Sequence, residues 1–515
     1  MSSKNNSCIC VPLNETSLRA LRSAAAKATT VADLIELRAD GLDAEQLDDP
    51  AQLKNLVDII SRPVILTFRS SEEGGYRSLT RAQRRSFWQE HLRTNAALFD
   101  VELDLVTELT TLDGNEQPDW SHVICSHHDF TGVPQDLDAI YEQLAFTPAR
   151  ILKLAVTASD VADCIELFKL LERASREKRE LIAIAMGNAG AITRILGPSW
   201  GSFLTYGACE IERGTAPGQL LASELKSVYR ADQIDGDTMI TGLVGSPVMH
   251  SVSPHMHNAA FQALGLNGVY LPFEVSDLGG FFKRLIDPRT KELDWNLRGL
   301  SVTAPHKVEV MKYLDWVDPK AQKIGAVNTV VLEDGRLLGY NTDADGLIQP
   351  LIQKLGSLAG LRAAVIGAGG AASAAIFALL QQGVEVNLYA RNPDKAEAVS
   401  RRFNISWHHL GERNIGGLDI MINATPLGSL GKEIDNAPVL ADQLRMCRLV
   451  YDLVYNPIET RFMREGREAG CEVLGGLEML VVQAQLQFKL LTKNEVSYEL
   501  MYAAGHSALT QNLSS

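Results

Sequence analysis

The chain has 515 residues, 46% of them apolar and 22% charged, with a formal net charge of −14. That length exceeds what one hydrophobic core fills, so two or three domains are expected, and the acidic balance argues against a nucleic-acid or anionic-membrane surface. Seven cysteines stand singly apart from Cys8 and Cys10, and the start, MSSKNNSCICVPL, has no long apolar stretch; reduced thiols in a cytoplasm, with no secretory leader, bilayer span or metal site, are the simplest reading.

Short apolar runs recur through the first 225 residues: CICVPL (8–13), LIELRAD (34–40), VILTFRS (64–70), LFDVELDL (98–105), HVICSHHDF (122–130), RILKLAV (150–156), ELIAIAMG (180–187) and TYGACE (205–210). Helical or loop segments separate them, and strand–helix–strand at this spacing predicts a parallel sheet. Eight such units predict a compact (β/α)8 barrel. In DVELDL, Asp100, Glu102 and Asp104 alternate, which predicts three carboxylates on one strand face. Lys153 sits inside an apolar run, where a lysine is costly unless it is paired or its pKa falls. Glu36, Arg38, Arg69, His127, His128 and Asp129 lie toward strand C-termini, the rim where barrel active sites are built.

Taken singly, a strand lysine usually snorkels to solvent and a histidine is usually just hydrogen-bonded. Charge on five strands at one rim is harder to explain that way. A desolvated lysine near a histidine can form a Schiff base with a ketone and then have a proton removed alpha to the imine. The segments ELRAD, TFRS with a following EGG, VELD, SHHDF, KLAV and the stretch from Gly187 to Gln219 resemble type I 3-dehydroquinate dehydratase. The resemblance implies that Lys153 forms the imine and that His128 removes the C2 proton and protonates the departing C1 hydroxyl. It implies that Glu102 orients and tunes His128, and that Glu36, Arg38, Arg69, Arg194, Thr215 and Gln219 bind substrate. His127 remains the competing base, separated from His128 only by its place in the motif. Thr215, in TAPGQ, stands where the family often has Ser, and keeps the hydroxyl.

A polar stretch, YRADQIDGDT (229–238), is predicted as a linker, and ITGLVG (240–245) opens a new unit. In LRAAVIGAGGAASAAIFALLQQGVEVNLYARNPDKA (361–396), a β-branched run ends in glycines, an Ala-rich helix follows, and VEVNLYA supplies a second strand. That context makes the loop of Gly367, Ala368, Gly369, Gly370 and Ala371 a dinucleotide-binding fingerprint. A site for NAD usually places Asp or Glu at the end of the second strand. Arg391, with Lys395 close behind, suits a 2′-phosphate instead and predicts NADP, although Asp394 lies three residues on.

The flanking segments GSPVMHSVSPHMHN, GLSVTAPHK, GAVNTVV and GYNTDADG join this fingerprint in resembling shikimate dehydrogenase, from about residue 238 to 506. By that resemblance Lys307 and Asp343 are the catalytic pair, and Ser251 and Ser253 hold the substrate carboxylate. Thr303, Asn328, Asp343, Tyr455 and Gln483 would bind ring oxygens. Asn392, Asn423, Thr425, Leu453 and Gly476 fall on cofactor positions. Ser301 stands where many members have Asn, and Ala390-Arg391-Asn392 where Asn-Arg-Thr is usual, which bears on substrate and cofactor selectivity.

The expected architecture is α/β throughout: a barrel over 1–228, a linker over 229–238, a substrate domain over 239–346 completed by 477–515, and a Rossmann-type NADP domain over 347–476. The implied reactions are consecutive, dehydration of 3-dehydroquinate to 3-dehydroshikimate and its reduction to shikimate. The expected partners are these small molecules, with no nucleic acid and no membrane; no motif fixes an oligomeric state. Two other readings stand beside this one: NAD-linked catabolism of quinate or shikimate, and a metabolite-binding fusion with one inactive site.

Overall fold

The computed structural model describes residues 8–47, 49–113, 117–210, 214–411 and 417–511, so the first seven residues, considered above for a leader, lie outside it. Among the described residues no helix is long and apolar enough to cross a membrane. The chain forms two compact units, residues 1–238 with 271–296, and residues 239–270 with 297–515.

In the first unit eight strands alternate with helices: β1 (Cys8–Leu13), β2 (Leu34–Arg38), β3 (Val64–Thr67), β4 (Leu98–Glu102), β5 (Val123–Asp129), β6 (Ile151–Thr157), β7 (Glu180–Met186) and β8 (Leu204–Tyr206). They pair in parallel in the order β7-β6-β5-β4-β3-β2-β1-β8. The ring closes through a bridge between Leu181 and Ser202, where the Phe203 N–H donates to the Leu181 carbonyl at 2.9 Å. Each of the eight apolar runs is thus a strand of one barrel.

Strand parity fills this barrel in layers. Cys10, Leu34, Ile65, Leu98, Ile124, Ile151, Ile182 and Leu204 form an apolar floor. Because side chains alternate along a strand, residues two further on share that inward face. They are Pro12, Glu36, Thr67, Asp100, Ser126, Lys153, Ile184 and Tyr206, a mostly polar second layer. Two more residues on lie Arg38, Arg69, Glu102 and His128. The apolar floor keeps water from the lysine from below, and the open end of the barrel faces the strand C-termini.

One expectation fails here. Asp104 does not share the strand face, because β4 ends at Glu102 and Asp104 lies in the first turn of the helix Leu103–Leu109. An acid is favoured there by the helix dipole, and Asp104 receives two bonds from Arg84. The stretch read as a linker is packed rather than loose: Tyr229, Ala231 and Ile234 are buried. Residues 271–296 also belong to this unit, where Asp160 accepts from the Ser276 N–H and hydroxyl and Arg284 pairs with Glu166.

The second unit contains two layers of sheet. Strands β9 (Met239–Gly245), β10 (Gly268–Glu274, which from residue 271 on is counted with the first unit), β11 (Leu297–Val302), β12 (Trp316–Val317), β13 (Thr329–Glu333) and β14 (Arg336–Tyr340) form a mixed sheet in the order β10-β9-β11-β13-β14-β12. Strands β15 (Arg362–Ile366), β16 (Glu385–Ala390), β17 (Ser406–His409), β18 (Ile420–Asn423), β19 (Leu449–Asp452) and β20 (Glu472–Leu474) form a parallel sheet in the order β17-β16-β15-β18-β19-β20. This is the doubly wound order, with its switch point between β15 and β18, outside whose C-terminal ends such folds bind ligands. The helix Gly476–Thr492 then returns to the mixed sheet: Leu477, Val481 and Phe488 share a core with Leu243, Met256, Phe261 and Tyr270.

Candidate active sites

In the barrel, Lys153 is 4% exposed. Its Nζ donates to Asp100 Oδ2 at 2.6 Å and to the Tyr206 hydroxyl at 3.0 Å, with Glu36 at 3.9 Å. The pairing, rather than a path to solvent, is what makes the buried cation tolerable. Asp100 also accepts from Arg69 at 2.7 Å and from Ser126 at 2.6 Å. Burial opposes its ionisation, but Arg69 and Lys153 together hold its carboxyl well below the usual range.

His128 lies on the inward face of β5 and is buried, while His127 points the other way and stays partly exposed. Strand parity thus favours the same histidine as the motif, although His127 Nδ1 also lies 3.8 Å from Glu73. Burial, then the Arg69 and Lys153 cations, push the His128 imidazole well below its ordinary value, so it is neutral and able to accept a proton. The expected partner of His128 is corrected. Glu102 accepts from the Ser70 N–H at 3.0 Å and is ion-paired with Arg84, whereas the carboxyl on His128 Nδ1 is that of Glu73, at 3.1 Å. Glu102 is drawn away because the buried Arg84 also reaches β4 from the helix Arg81–His91. Burial first, and then the Glu102 charge, pushes Glu73 up to about 8.

Glu36, Arg38, Arg69, Arg194, Thr215 and Gln219 all line one pocket with Lys153 and His128. Arg38 is held by a two-pronged pair with Asp40. Arg194 is different: among the described residues its guanidinium donates only to the carbonyls of Ala185 (2.8 Å) and Pro217 (3.3 Å), and burial lowers its pKa to about 10. A buried guanidinium with carbonyl partners alone has donors left for an incoming carboxylate. The Gln219 side chain accepts from the Thr215 N–H. Sequence reasoning missed Glu73, Asp100 and Tyr206 as site groups. The EGG after TFRS was the one visible signal for Glu73, and strand parity the one for Asp100 and Tyr206.

In the second unit a cavity of about 180 Å³ is lined by Ser251, Ser253, Thr303, Lys307, Asp343, Leu453, Tyr455, Gly476 and Gln483, with Ser301 and Gln487. Lys307 Nζ donates to Asp343 Oδ2 at 2.6 Å, and Asp343 Oδ1 accepts from Asn328 Nδ2 at 2.8 Å. Asn328 is fully buried behind Asp343, so the structure uses its amide to aim that carboxylate. The Ser251 hydroxyl donates to that of Ser253 at 3.1 Å, leaving a paired hydroxyl patch in the cavity that the half-buried Tyr455 also lines. Ser301 donates to Gln487 Oε1 at 2.9 Å, which makes Gln487 a wall residue that no motif had singled out.

The glycine loop follows β15. Gly367 has φ +116°, and a Cβ there would meet the Ala424 carbonyl at 2.7 Å. Gly370 opens the helix Gly370–Gln381, and Lys307 packs on it, 3.6 Å from where a Cβ would lie. Unpaired N–H groups at that helix start, the close-approach glycines and the strand end of β18 make a cradle that fits a dinucleotide pyrophosphate. Arg391 and Lys395 are exposed just beyond β16, clear of any acid at the strand end itself. Asn392 serves as the cap of the helix Pro393–Phe403, its side chain accepting from the Lys395 N–H. The Asn423 side chain accepts from the Thr425 N–H and hydroxyl.

A barrel with a lysine–histidine pocket, joined in one chain to a split α/β unit with a nucleotide cradle, defines an enzyme with two catalytic modules. Two family models match it: type I 3-dehydroquinase over residues 9–236, and the shikimate dehydrogenase substrate-binding domain over residues 243–330. The chain is 34% identical to a chloroplastic bifunctional 3-dehydroquinate dehydratase/shikimate dehydrogenase of Arabidopsis thaliana, over 97% of this chain and 84% of that one. Its second half is 40% identical to an NADP(+) shikimate dehydrogenase of Caldanaerobacter subterraneus subsp. tengcongensis, over 52% of this chain and 97% of that one. A crystal structure of a shikimate dehydrogenase in complex with NADP+ superposes with a TM-score of 0.50 at 38% identity, covering 54% of this chain and 97% of that one. The chain belongs to the bifunctional 3-dehydroquinate dehydratase/shikimate dehydrogenase family.

Proposed function

We propose that the barrel dehydrates 3-dehydroquinate to 3-dehydroshikimate and that the second unit reduces 3-dehydroshikimate to shikimate with NADPH, within aromatic amino-acid biosynthesis. The observation that carries the reading is a buried lysine amine facing a neutral, buried imidazole at the open end of a barrel. In the barrel the Lys153 amine adds to the substrate ketone and water leaves, giving a C=N bond. His128 takes the C2 proton; the resulting enamine expels the C1 hydroxyl, which departs as water with the proton from His128. Hydrolysis then frees the product and restores the amine. Arg194 is the natural seat for the substrate carboxylate, and Glu36, Arg38, Arg69, Thr215 and Gln219 frame the ring.

In the second unit Ser251 and Ser253 take the substrate carboxylate, while Thr303, Tyr455 and Gln483 take ring oxygens. Lys307 and Asp343 exchange the proton on the oxygen at the reacting carbon. Bound NADPH, held by Gly367–Ala371, Arg391, Lys395, Thr425 and Leu453, supplies the hydride. The domain scheme proposed is a barrel over 1–228, a connector over 229–238, and a dehydrogenase whose nucleotide domain spans 347–476. A cytoplasmic location accords with seven free cysteines.

The test is a borohydride trap. The protein is incubated with 3-dehydroquinate, reduced and digested, and the adduct is located by mass, while shikimate-dependent reduction of NADP+ is followed in the same preparation. An adduct on Lys153 is expected together with dehydrogenase activity. Dehydration without any lysine adduct would overturn the imine route, and loss of either activity would overturn the two-site reading.

A further inference from the structure

Asp452, the last residue of β19, is fully buried. Its Oδ1 accepts from Asn423 Nδ2 at 2.9 Å and from the Val454 N–H at 3.1 Å, and its Oδ2 from the Thr460 hydroxyl at 2.6 Å. These are neutral donors, an arrangement that stabilises an ionised carboxylate less than a cation would, and burial raises its pKa to about 6. A buried acid retained at that cost calls for a reason, and its partners supply one. Asn423 closes β18 and turns the Thr425 loop toward the nucleotide cradle, while its own carbonyl accepts from the Leu453 N–H at 3.0 Å. On the other side, Leu453 and Tyr455 line the substrate cavity. The same segment abuts the start of the helix that carries Gln483, where a Cβ on Gly476 would lie 2.5 Å from the Leu453 carbonyl.

We propose that Asp452 is a positioning residue that ties the nucleotide-side loop at Asn423–Thr425 to the substrate-side segment Leu453–Tyr455, so that filling one seat tightens the other. The inference rests on the dehydrogenase reading of this cavity. Two seats joined through one rigid node shift each other's affinity reciprocally. The node is rigid because three donors from three segments converge on one carboxylate that no water reaches.

The experiment is calorimetric titration of the intact chain with NADP+, alone and with saturating shikimate. In the wild type shikimate is expected to tighten NADP+ by roughly 5- to 100-fold. Asp452→Asn keeps an oxygen for Asn423 and Val454 and lets the Thr460 hydroxyl turn to accept, so it retains most of that ratio. Asp452→Ala brings the ratio close to one, whatever it costs the binary NADP+ complex. Should Asp452→Ala fail to fold by its melting profile, Thr460→Val decides, with Thr460→Ser as the variant that keeps the hydroxyl. An unchanged ratio in the disabling variant, an equal loss in Asp452→Asn and Asp452→Ala, or equal weakening of the binary and ternary complexes would overturn the proposal. So would a wild type without coupling. Failure of the dehydrogenase reading itself appears separately, as absence of shikimate-dependent NADP+ reduction in the wild type.

Discussion

Glu73 Oε2 and His128 Nδ1 lie in hydrogen-bond contact, and the pH at which Glu73 releases its proton sets two quantities in opposite directions. The ordinary value of this carboxyl is 4.5 and the folded value is about 8. A folded pKa above the unfolded one contributes stability that is fully present below about 4.5 and is lost as pH rises toward about 8. Ionised Glu73, in turn, fixes the proton on Nδ1 and frees Nε2 to take the C2 proton. Dehydration is therefore expected to speed up as pH approaches 8 while the fold weakens. In Glu73→Gln the rise in kcat disappears, and the melting temperature exceeds that of the wild type by a margin that grows between about pH 5 and pH 8.5. A margin independent of pH would show that Glu73 is not the group that ionises. Arg194 gives a second prediction. Among the described residues its guanidinium meets only carbonyls, so Arg194→Met is expected to raise KM for 3-dehydroquinate by roughly 10- to 100-fold, the worth of one or two charge-assisted bonds, with dehydrogenase kinetics unchanged. Lys153 and Arg69 stood out in the sequence because charge inside or beside an apolar run is conspicuous, whereas Arg194 came only with the family resemblance. Glu73 did not stand out, because it sits in a short 3-10 turn where no periodicity marks a direction.

The elements carry that difference further. Strand parity, countable from the sequence once the apolar floor is known, places Glu36, Asp100, Lys153 and Tyr206 in one layer and Arg38, Arg69, Glu102 and His128 in the next. It also puts His128, and not His127, on the inward face. Parity ends where a strand ends, which is why Asp104 was misplaced and why Glu102, correctly placed on the inward face, was given the wrong partner. The competing cation, Arg84, comes from a helix and stands 18 residues upstream of Glu102; the helix sequence, RAQRRSFWQEH, offers three arginines without saying which one turns inward. Arg84 bonds Glu102 and both oxygens of Asp104 while its own side chain is about 5% exposed. Removing it would leave Glu102 buried without its cation. Arg84→Ala is therefore expected to cost the barrel roughly 3–5 kcal/mol in denaturant unfolding. It should also free the Ser70 loop that leads to Glu73, so dehydratase kcat falls even in native buffer. A loss below about 1 kcal/mol, the range of an exposed pair, would mean that Glu102 finds water instead.

At the scale of the whole chain, each module carries its own core, its own charged pair and its own binding groups. The barrel pocket is lined by residues of the first unit alone, and the dehydrogenase cavity by residues of the second alone. Neither site borrows a side chain from the other, so the two chemistries should separate cleanly by mutation. Lys153→Met is expected to abolish dehydration and leave shikimate-dependent NADP+ reduction at the wild-type rate, and Lys307→Met to do the reverse. The same pair of variants asks how 3-dehydroshikimate passes between them. Because each pocket is lined within its own unit, passage through bulk solvent is the physical default. An equimolar mixture of the two variants, given 3-dehydroquinate and NADPH, should then oxidise NADPH with the same lag and the same final rate as wild type at matched active-site concentrations. A longer lag in the mixture, persisting as both variants are concentrated together, would mean that the intact chain hands its intermediate over internally, and the independence argued here from the site composition would fail.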